Sequence, residues 1–450
     1  MHQMEFVERL LERAREAGLA MCEVYCASGS SFEVSIFQGE IVHYSSADSA
    51  GLTLRALVNG KMGYASTQAL DEEAIDLLID AVRENAELIE SEDRQFLFGG
   101  GSEYAEISNY NAQLDALDVS KKIALAREME KRALEADPRI QQVGDCVLIT
   151  QSSEIAIANT QGLHLSHRCN LIGGYLSPVA KEGDKVNTGF AMFYTSDPNQ
   201  IDLTACVQRA VREAVDGLNA QSIPSGEYRV LLSGLCMADL LSTFSGVFSA
   251  EQAQKGLSLF KDREGAKVAA ECVTLVDDPH LPASPSSTPF DDEGVPTFRK
   301  NVLDRGVLTT LLHNLKTAHK AGVKTTANAS KAGYSAPVDV APSNFLLVPG
   351  QRSLSQMLEA LGEGIYITDL QGHHSGANPV SGDFSLSAKG YLVRAGKIAQ
   401  AVQQITVAGN FFELLEKIEA LGSDLQSSFP GSSTFFSPSV LIQNLSVAGL

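Results

Sequence analysis

The first half of this sequence alternates between segments with helical periodicity and segments with strand periodicity. Residues 5–18 place apolar side chains at helical spacing, with charged side chains between them. Residues 23–67 instead alternate apolar and polar side chains, and Asn59-Gly60 between two apolar runs predicts a tight hairpin turn, because both residues tolerate positive φ. A second amphipathic helix is predicted over residues 70–88. The sequence therefore predicts a unit made of a helix, an antiparallel meander and a helix.

The same order of elements recurs further along the chain. Residues 119–135 predict an amphipathic helix, residues 152–157 echo the alternation of residues 30–36, and residues 203–218 predict a closing helix. We interpret residues 1–98 and 119–222 as a possible internal repeat; the alternative is that short alternating strands resemble each other by chance. In either case residues 1–222 are expected to form one α+β region.

A second domain is predicted after residue 222. At 450 residues the chain exceeds what one hydrophobic core usually serves, and Pro224 and Gly226 break the pattern after the last predicted helix. A buried strand over residues 228–232 then leads to a helix over 236–248, followed by short strands at 302–310, 344–348, 364–368, 384–393, 398–407 and 439–447. The predicted fold class is therefore α+β: two helix–meander–helix units, then a β-rich C-terminal domain with a few helices over residues 223–450.

Charge and cysteine usage exclude several classes of function. The formal net charge is −20 and no run of Lys and Arg occurs, so direct nucleic-acid binding is not expected, because such binding depends on cationic side chains. No apolar stretch is long enough to predict a membrane-spanning helix, and the start lacks the apolar core of a signal peptide. The seven Cys form no CxxC pair, which is typical of reduced thiols. We expect a cytoplasmic protein without membrane contact.

The histidines do not form a recognisable zinc motif. No HExxH occurs, and no Cys follows Cys272. The adjacent pair His373-His374 lies in a glycine-rich loop and admits three interpretations: imidazoles bonded to the backbone, a loop that contacts substrate, or a metal site. The acidic turn Asp291-Asp292-Glu293-Gly294 is typical of a solvated turn, and a turn that binds a cation or an amine is the alternative.

Several blocks in the second half resemble one known family. They are Ser287-Thr288-Pro289-Phe290-Asp291-Asp292-Glu293-Gly294-Val295 with Arg299, then Gly364–Thr368, Ser381–Phe384, Tyr391–Ile398 and Ile405–Asn410. In this order they resemble the TldD/PmbA peptidases (peptidase U62), once named for modulation of DNA gyrase. The blocks run from residue 228 to the C-terminal end, and the N-terminal helix–meander–helix is similar as well, so the resemblance covers nearly the whole chain.

The resemblance also marks what this chain lacks. Active members carry His-Glu-x-x-x-His on the helix after the first C-terminal strand, and a C-terminal Cys as a further zinc ligand. The corresponding positions here are Ser242 and Val247 for the two His, and Thr243 for the Glu. A hydroxyl is a poor zinc ligand, Val is none, and Thr is no general base at neutral pH. The departure resembles the PmbA/TldE branch, which implies no catalytic residue, no bound metal and no cofactor in this chain.

The resemblance implies a non-catalytic role in proteolysis and peptide maturation. It implies a partner, either a zinc-bearing TldD-like subunit or a second copy of this chain, that helps to enclose an extended peptide. The loops that carry Asp291, Glu293, Gly294, His373, His374 and Asp383 are expected to bind that substrate. Two alternatives stay open: a hydrolase that acts alone through His373, His374 and a neighbouring carboxylate such as Asp383, or a purely binding homodimer.

Overall fold

The N-terminal region folds as two helix–strand–helix units. The computed structural model describes residues 3–90, 93–101 and 103–450. The first unit consists of α1 (Gln3–Glu16), β1 (Cys22–Phe37), β2 (Glu40–Val58), β3 (Lys61–Thr67) and α2 (Glu72–Glu87). After a short α3 (Ala112–Asp115), the second unit consists of α4 (Val119–Ala136), β4 (Ile140–Asn159), β5 (His164–Glu182), β6 (Lys185–Thr188), β7 (Ala191–Thr195) and α5 (Leu203–Asp216).

Both units contribute to one antiparallel sheet. The strand order is β3-β2-β1-β4-β5-β6, with β7 also paired to β5, so the first strand of each unit meets the other at the centre. The turn between β2 and β3 has positive φ at Asn59 (50°) and Gly60 (83°), as the hairpin prediction requires. The sheet is thus continuous across the two units.

The helices cover one face of this sheet at its two ends and leave its middle open. Helices α1 and α2 pack on the ends of β1 and β2 around Val24 and Leu54, while α4 and α5 pack on the opposite ends around Val34 and Leu148. Between the two cores the strands carry small polar residues, such as Ser28 to Ser31. Strands of 16 to 20 residues are long enough to support two separate cores side by side.

The C-terminal domain contains two six-stranded sheets with helix α6 between them. Its elements are β8 (Gly226–Leu232), α6 (Gly234–Phe244), α7 (Ala250–Gln254), β9 (Leu275–Asp277), β10 (Lys300–Asp304), β11 (Val307–Leu308), α8 (Leu315–Ala321), β12 (Ala329–Ser330), β13 (Asp339–Val340), β14 (Asn344–Leu347), α9 (Leu354–Leu361), β15 (Gly364–Gln371), α10 (His373–Gly376), β16 (Asp383–Arg394), β17 (Lys397–Asn410), α11 (Phe411–Glu416), β18 (Ile418–Leu421), β19 (Gln426–Ser427), β20 (Thr434–Ser437) and β21 (Val440–Ala448). The sheets have the orders β17-β16-β15-β8-β21-β18 and β11-β10-β9-β14-β20-β19. The pair β12–β13 stands apart from both.

The predicted fold class is confirmed. The four amphipathic helices of the N-terminal region and the strand–helix pair at β8–α6 lie where the sequence predicts them, and the second half is rich in strands. One strand prediction is wrong: residues 302–310 do not form a single strand. The chain turns at Arg305 and Gly306, which both have positive φ, so β10 ends before this turn and β11 begins after it.

Among the described residues, no helix has the length and apolarity that crossing a bilayer requires. The domain boundary at residues 222–223 and the internal repeat stay predictions.

A buried group of charges joins the N-terminal sheet to the C-terminal domain. Arg55 on β2 donates from Nε to Glu23 Oε1 on β1 at 2.8 Å, and its Nη1 donates to Glu293 Oε1 in the C-terminal domain at 3.4 Å. Glu293 Oε2 accepts a hydrogen bond from the backbone N–H of Leu315, and Glu23 Oε2 accepts a hydrogen bond from the side-chain Nδ2 of Asn159. All three charged side chains are at least 95% buried. We call Glu23, Arg55 and Glu293 the interdomain triad.

The acidic turn that carries Glu293 is shaped by its neighbours. Asp291 Oδ1 accepts the backbone N–H groups of Glu293 and Val295, and its Oδ2 accepts that of Ala329, all at 3.0 Å. Gly294 has φ of +79°, and a Cβ atom there would lie 2.5 Å from a Leu163 methyl carbon of the N-terminal sheet. The positive φ favours glycine, and a Cβ atom here would also require the Leu163 side chain to shift.

The structure places three of the residues predicted to bind substrate in this turn, and their binding of substrate stays a prediction. Asp291, Glu293 and Gly294 were expected to bind substrate, yet all three are buried and pair with protein groups. The adjacent Asp292 accepts a hydrogen bond from Tyr25 on β1 at 2.9 Å, so the whole turn faces the N-terminal sheet. The turn is a domain contact, which the sequence could not reveal because the partner residues lie more than 200 positions away.

Replacement of Arg55 by Met should destabilise the folded protein by about 3–5 kcal/mol, because it leaves two buried carboxylates without their cation. Chemical denaturation measures this loss. The matched control is the triple variant Arg55→Met, Glu23→Gln and Glu293→Gln, which removes the charges together. The triple variant should be more stable than the single one; a triple variant that is less stable would show that the carboxylates do not depend on Arg55.

Candidate functional site

The end of helix α6 carries the positions where the resemblance places zinc chemistry. Ser242 is exposed on the last turn, and Thr243 is half-buried beside it. After Phe244 the helix tightens into a 3₁₀ turn over Ser245–Phe248, which carries Val247 into the hydrophobic core at 1% exposure. Val247 therefore packs as a core residue, and Ser242 and Thr243 offer only hydroxyl groups.

His373 is the residue that lies against this helix end. Its Nδ1 is 3.2 Å from Thr243 Oγ1, and its Nε2 is 3.2 Å from the backbone oxygen of Leu370. The Thr243 hydroxyl has one hydrogen, which it donates to the backbone oxygen of Asp239 at 2.8 Å. A neutral ring that donates from Nε2 to Leu370 therefore satisfies both contacts only where this hydroxyl turns from Asp239 to His373 Nδ1. Burial lowers the pKa of His373, which favours this neutral form. The structure thus brings together two residues that the sequence separates by 130 positions.

Three carboxyl groups interact near this contact through Asp369, which itself interacts with His373, and we call them the carboxyl cluster. Asp239 lies one turn before Thr243 on α6, Asp369 lies on β15 before the His pair, and Glu213 lies on α5. Burial, with a further contribution from Asp369, raises the pKa of Asp239 to about 7. Burial raises the pKa of Glu213 to about 7 as well, with Asp369 adding to the shift and the N–H of Phe190 opposing it. Burial also raises the pKa of Asp369, against the opposing charge of Lys389.

Sequence reasoning missed the carboxyl cluster. The signal for Asp239 was its position four residues before Thr243, which places both on one face of α6. Asp369 lies four residues before His373 in the sequence. No sequence signal links Glu213 to either, because α5 belongs to the N-terminal region.

The other predicted site residues do not join this contact. Asp383 is exposed and accepts hydrogen bonds from Ser381 Oγ at 2.8 Å and Asn410 Nδ2 at 2.9 Å, which lower the pKa of its carboxyl group. His374 is exposed on α10. Within residues 3–90, 93–101 and 103–450, no hydrogen bond links Asp383 to His373 or His374. Asp383 belongs to a separate turn, whereas Asp369 is a carboxylate that interacts with His373. The hydrolase alternative stays a prediction.

The donor groups at the α6 end do not fit a catalytic zinc ion. Such a site uses three imidazole, thiolate or carboxylate ligands with one open position. The described part of the chain holds no cluster of three or more His, Cys, Asp or Glu arranged to bind a metal. His373 is the one imidazole at the helix end, and both of its nitrogens already have partners. That the purified chain carries no zinc stays a prediction.

A separate cleft lies between the N-terminal sheet and the C-terminal domain. It measures about 500 Å³, and its floor is the middle of β1 and β4, where the side chains are small. The opposite wall consists of three loop segments around Pro285, Tyr334 and Pro430. Both floor strands are paired on both sides, so an occupant would contact side chains and loop backbone and could not add as a strand. None of the residues predicted from the sequence to bind substrate lines this cleft.

Three family models match the chain in succession. They are PmbA/TldA metallopeptidase domain 1 over residues 22–86, the central domain over 112–218 and the C-terminal domain over 225–449. The matched ranges together cover most of the sequence.

Whole-length relatives and solved structures agree with these models. The Metalloprotease PmbA homolog of Haemophilus influenzae is 26% identical over 98% of this chain and 94% of its own length. The Metalloprotease PmbA of Escherichia coli O157:H7 is 26% identical over 99% and 98% of the two chains. A crystal structure from Thermotoga maritima, described as a modulator of a DNA gyrase, is 33% identical, has a TM-score of 0.90 and covers 99% of this chain and 100% of that one. TldE from Thermococcus kodakarensis, at 24% identity and TM-score 0.89, shares the fold over 99% of this chain and 100% of that one.

The carboxyl cluster predicts a pH-dependent effect of Asp239→Asn. A carboxyl group whose pKa is raised by folding destabilises the folded protein once it ionises. This loss of stability grows as the pH rises from the pKa in the unfolded chain, near 4, to the pKa in the folded protein, about 7. Because Asn mimics the neutral carboxyl group, the substitution should stabilise the protein by about 2–3 kcal/mol more at pH 8 than at pH 5.

Urea denaturation of both proteins at the two pH values measures this difference. Asp383→Asn is the matched control, since the pKa of that exposed carboxyl group is lowered, and it should show no such gain. An Asp239→Asn effect that is the same at pH 5 and pH 8 would contradict the raised pKa.

Proposed function

The chain belongs to the PmbA/TldD metallopeptidase family, and from this membership we propose that it acts as a subunit without catalytic zinc. In this role it takes part in the proteolysis and maturation of peptides by contact with a catalytic partner. The partner is a zinc-bearing relative of the TldD type. The chain's own contribution is to position that partner and to help enclose an extended peptide.

The end of helix α6 carries the proposal. The three positions at which the family's active members hold two His and a Glu are here Ser242, Val247 and Thr243. Val247 is part of the hydrophobic core, so its side chain packs inside the domain instead of facing a metal site. No Cys follows Cys272 that could serve as the further ligand. A metal-activated water is therefore not expected at this helix, and in this proposal the partner's zinc site hydrolyses the peptide bond.

The names of the relatives are compatible with either branch of the family. Both PmbA and TldD homologues match, including a Metalloprotease TldD homolog of Buchnera aphidicola that is 27% identical over 68% of this chain and 66% of its own length. Overall sequence similarity to the relatives therefore does not distinguish the PmbA branch from the TldD branch. The residues at the end of α6 favour the branch without zinc.

The interdomain cleft offers room for an extended peptide. Its volume, about 500 Å³, is in the usual range of ligand sites. The small residues of its floor, among them Gly29, Ser49 and Ser153, leave space for the side chains of a peptide. We place the enclosed peptide here in preference to the turn at Asp291–Gly294, which is buried.

Co-expression with a zinc-bearing TldD-type relative tests this function. The two chains should co-purify, and a fluorescent unfolded peptide should be cleaved by the pair but not by this chain alone. Glu→Gln in the relative's zinc helix should abolish cleavage. Thr243→Ala in this chain should leave the activity of the pair within about twofold, because a hydroxyl at this position supplies no general base.

Two results would contradict the proposal. One is cleavage of the peptide by this chain alone. The other is full activity of the relative without this chain, together with no detectable association of the two. Association without any effect on cleavage would instead favour a purely binding role.

A further inference from the structure

The residues that line the interdomain cleft carry no charge. None of the seventeen described residues that border it is Asp, Glu, Lys or Arg. These four types make up 20% of the chain, whose formal net charge is −20. A cavity of about 500 Å³ with a neutral lining is therefore set apart from the rest of this acidic protein.

Odd-numbered residues in the middle of the N-terminal sheet face the C-terminal domain. Tyr25 on β1 donates a hydrogen bond to Asp292 of that domain. Side chains alternate between the two faces along a strand, and residues opposite each other on neighbouring strands share a face. Gly29 lies opposite both Ser49 on β2 and Ser153 on β4. The side chains of Ser49 and Ser153 therefore face the cleft.

The charged side chains of the same strand segments lie on the other face of the sheet. Asp48, Glu154 and Arg168 each follow or precede a residue of the cleft floor by one position, so strand alternation directs them away from the cleft. All three border a separate groove, and Arg168 pairs there with Glu154 at 3.5 Å. The neutral lining of the cleft is thus a consequence of the strand register.

Tyr334 provides an apolar wall beside this floor. A Cβ atom at Gly51 would lie 2.5 or 2.6 Å from three atoms of the Tyr334 ring, so the face of the ring covers Gly51. The backbone oxygen of Tyr334 accepts a hydrogen bond from Thr53 Oγ1 on β2, and its ring packs against the hydrophobic cluster that contains Phe290. Because these contacts hold the ring in place, an occupant of the cleft loses little free energy in ordering it.

The opposite wall of the cleft is also held in place. Asn109 Nδ2 donates a hydrogen bond to the backbone oxygen of Pro285 at 3.2 Å. Ser286 Oγ donates to the backbone oxygen of Gly431 at 3.1 Å, which ties the two wall loops together. The cleft therefore keeps its shape without an occupant.

We propose that the cleft selects a segment of the substrate peptide that has no charged side chain, and that Tyr334 makes the main apolar contact with this segment. The inference rests on the function proposed above and specifies its substrate class. The hydroxyl groups of Ser49 and Ser153 can bond to the backbone groups of such a peptide. An ionised Lys or Asp side chain would lose water in the cleft and gain no counter-charge from its lining.

The net charge of the chain makes this selection distinguishable from simple electrostatic attraction. A protein with a net charge of −20 attracts a peptide with Lys more strongly than a neutral one at long range. The cleft predicts the reverse order of affinity, because the Lys side chain finds no carboxylate inside it. The affinity of the Lys peptide relative to the neutral peptide therefore separates the two explanations.

Three short labelled peptides of Gly, Ser, Thr and Tyr test the inference. They are identical except for two central residues, which are Ser-Ser, Lys-Lys or Asp-Asp, and fluorescence anisotropy measures their binding to this chain at physiological ionic strength. Both charged peptides should bind about tenfold more weakly than the neutral peptide. Tyr334→Ala should weaken binding of the neutral peptide by about tenfold.

A charge introduced into the cleft should change this preference. Ser49→Asp should strengthen binding of the Lys peptide and weaken binding of the Asp peptide, each by about fivefold, and Ser49→Lys should do the opposite. Ala50→Asp and Ala50→Lys are the matched controls, because Ala50 is the next residue of β2, is equally exposed and does not line the cleft. Salt screens charges on the far face of the sheet, so the controls should change the affinity ratios by less than about twofold. Thermal unfolding checks that all variants are folded.

Three results would overturn the selection of an uncharged segment. They are a Lys peptide that binds as tightly as the neutral peptide, Ser49 variants that behave like the Ala50 variants, and no binding of the neutral peptide. If one of these occurs while this chain and a TldD-type relative together still cleave an unfolded peptide, the proposed function stands and only the substrate class falls. If the neutral peptide binds selectively while the two chains neither associate nor cleave together, the substrate class stands and the proposed function falls.

Discussion

The interdomain triad fixes how the two domains meet, and the rest of the structure depends on that relation. Arg55 comes from β2, Glu23 from β1 and Glu293 from the C-terminal turn, so one guanidinium connects two strands of the sheet to the second domain. Burial of three charges is costly unless each charge has a partner in good geometry. Here Leu315 and Asn159 supply the remaining hydrogen bonds to the two carboxylates. We interpret the triad as a source of specificity, because a shifted domain would leave a buried charge unpaired.

The sequence predicted the local elements well, but it did not reveal which distant residues contact the predicted site residues. Periodicity and turn residues depend on near neighbours, so the amphipathic helices and the hairpin at Asn59-Gly60 could be located. The acidic turn looked like a ligand site because carboxylates beside glycine are typical of one. Its role depends on Arg55 and Tyr25, and a sequence without relatives does not show which distant side chains face a turn. The same limit hid Glu213, which lies on α5 of the N-terminal region and interacts with Asp369 on β15.

At the α6 end, the positions that the resemblance assigns to zinc chemistry make other contacts. Val247 packs in the core, and the Thr243 hydroxyl contacts His373. The carboxyl cluster nearby has raised pKa values, so the region carries less negative charge at neutral pH than its residue count implies. The role proposed for this chain depends on surface contacts, and the cleft between the domains lies on residues other than those at the α6 end.

The zinc content of the purified chain tests the central claim most directly. Elemental analysis after incubation with zinc and dialysis into metal-free buffer gives the number of ions that remain bound per chain, and a TldD-type relative processed in parallel shows that the procedure retains a catalytic zinc. Ser242, Thr243 and Val247 at the end of α6 predict far less than one zinc per chain in this protein. Close to one tightly held zinc per chain would contradict the assignment of this protein to a role without its own catalytic metal.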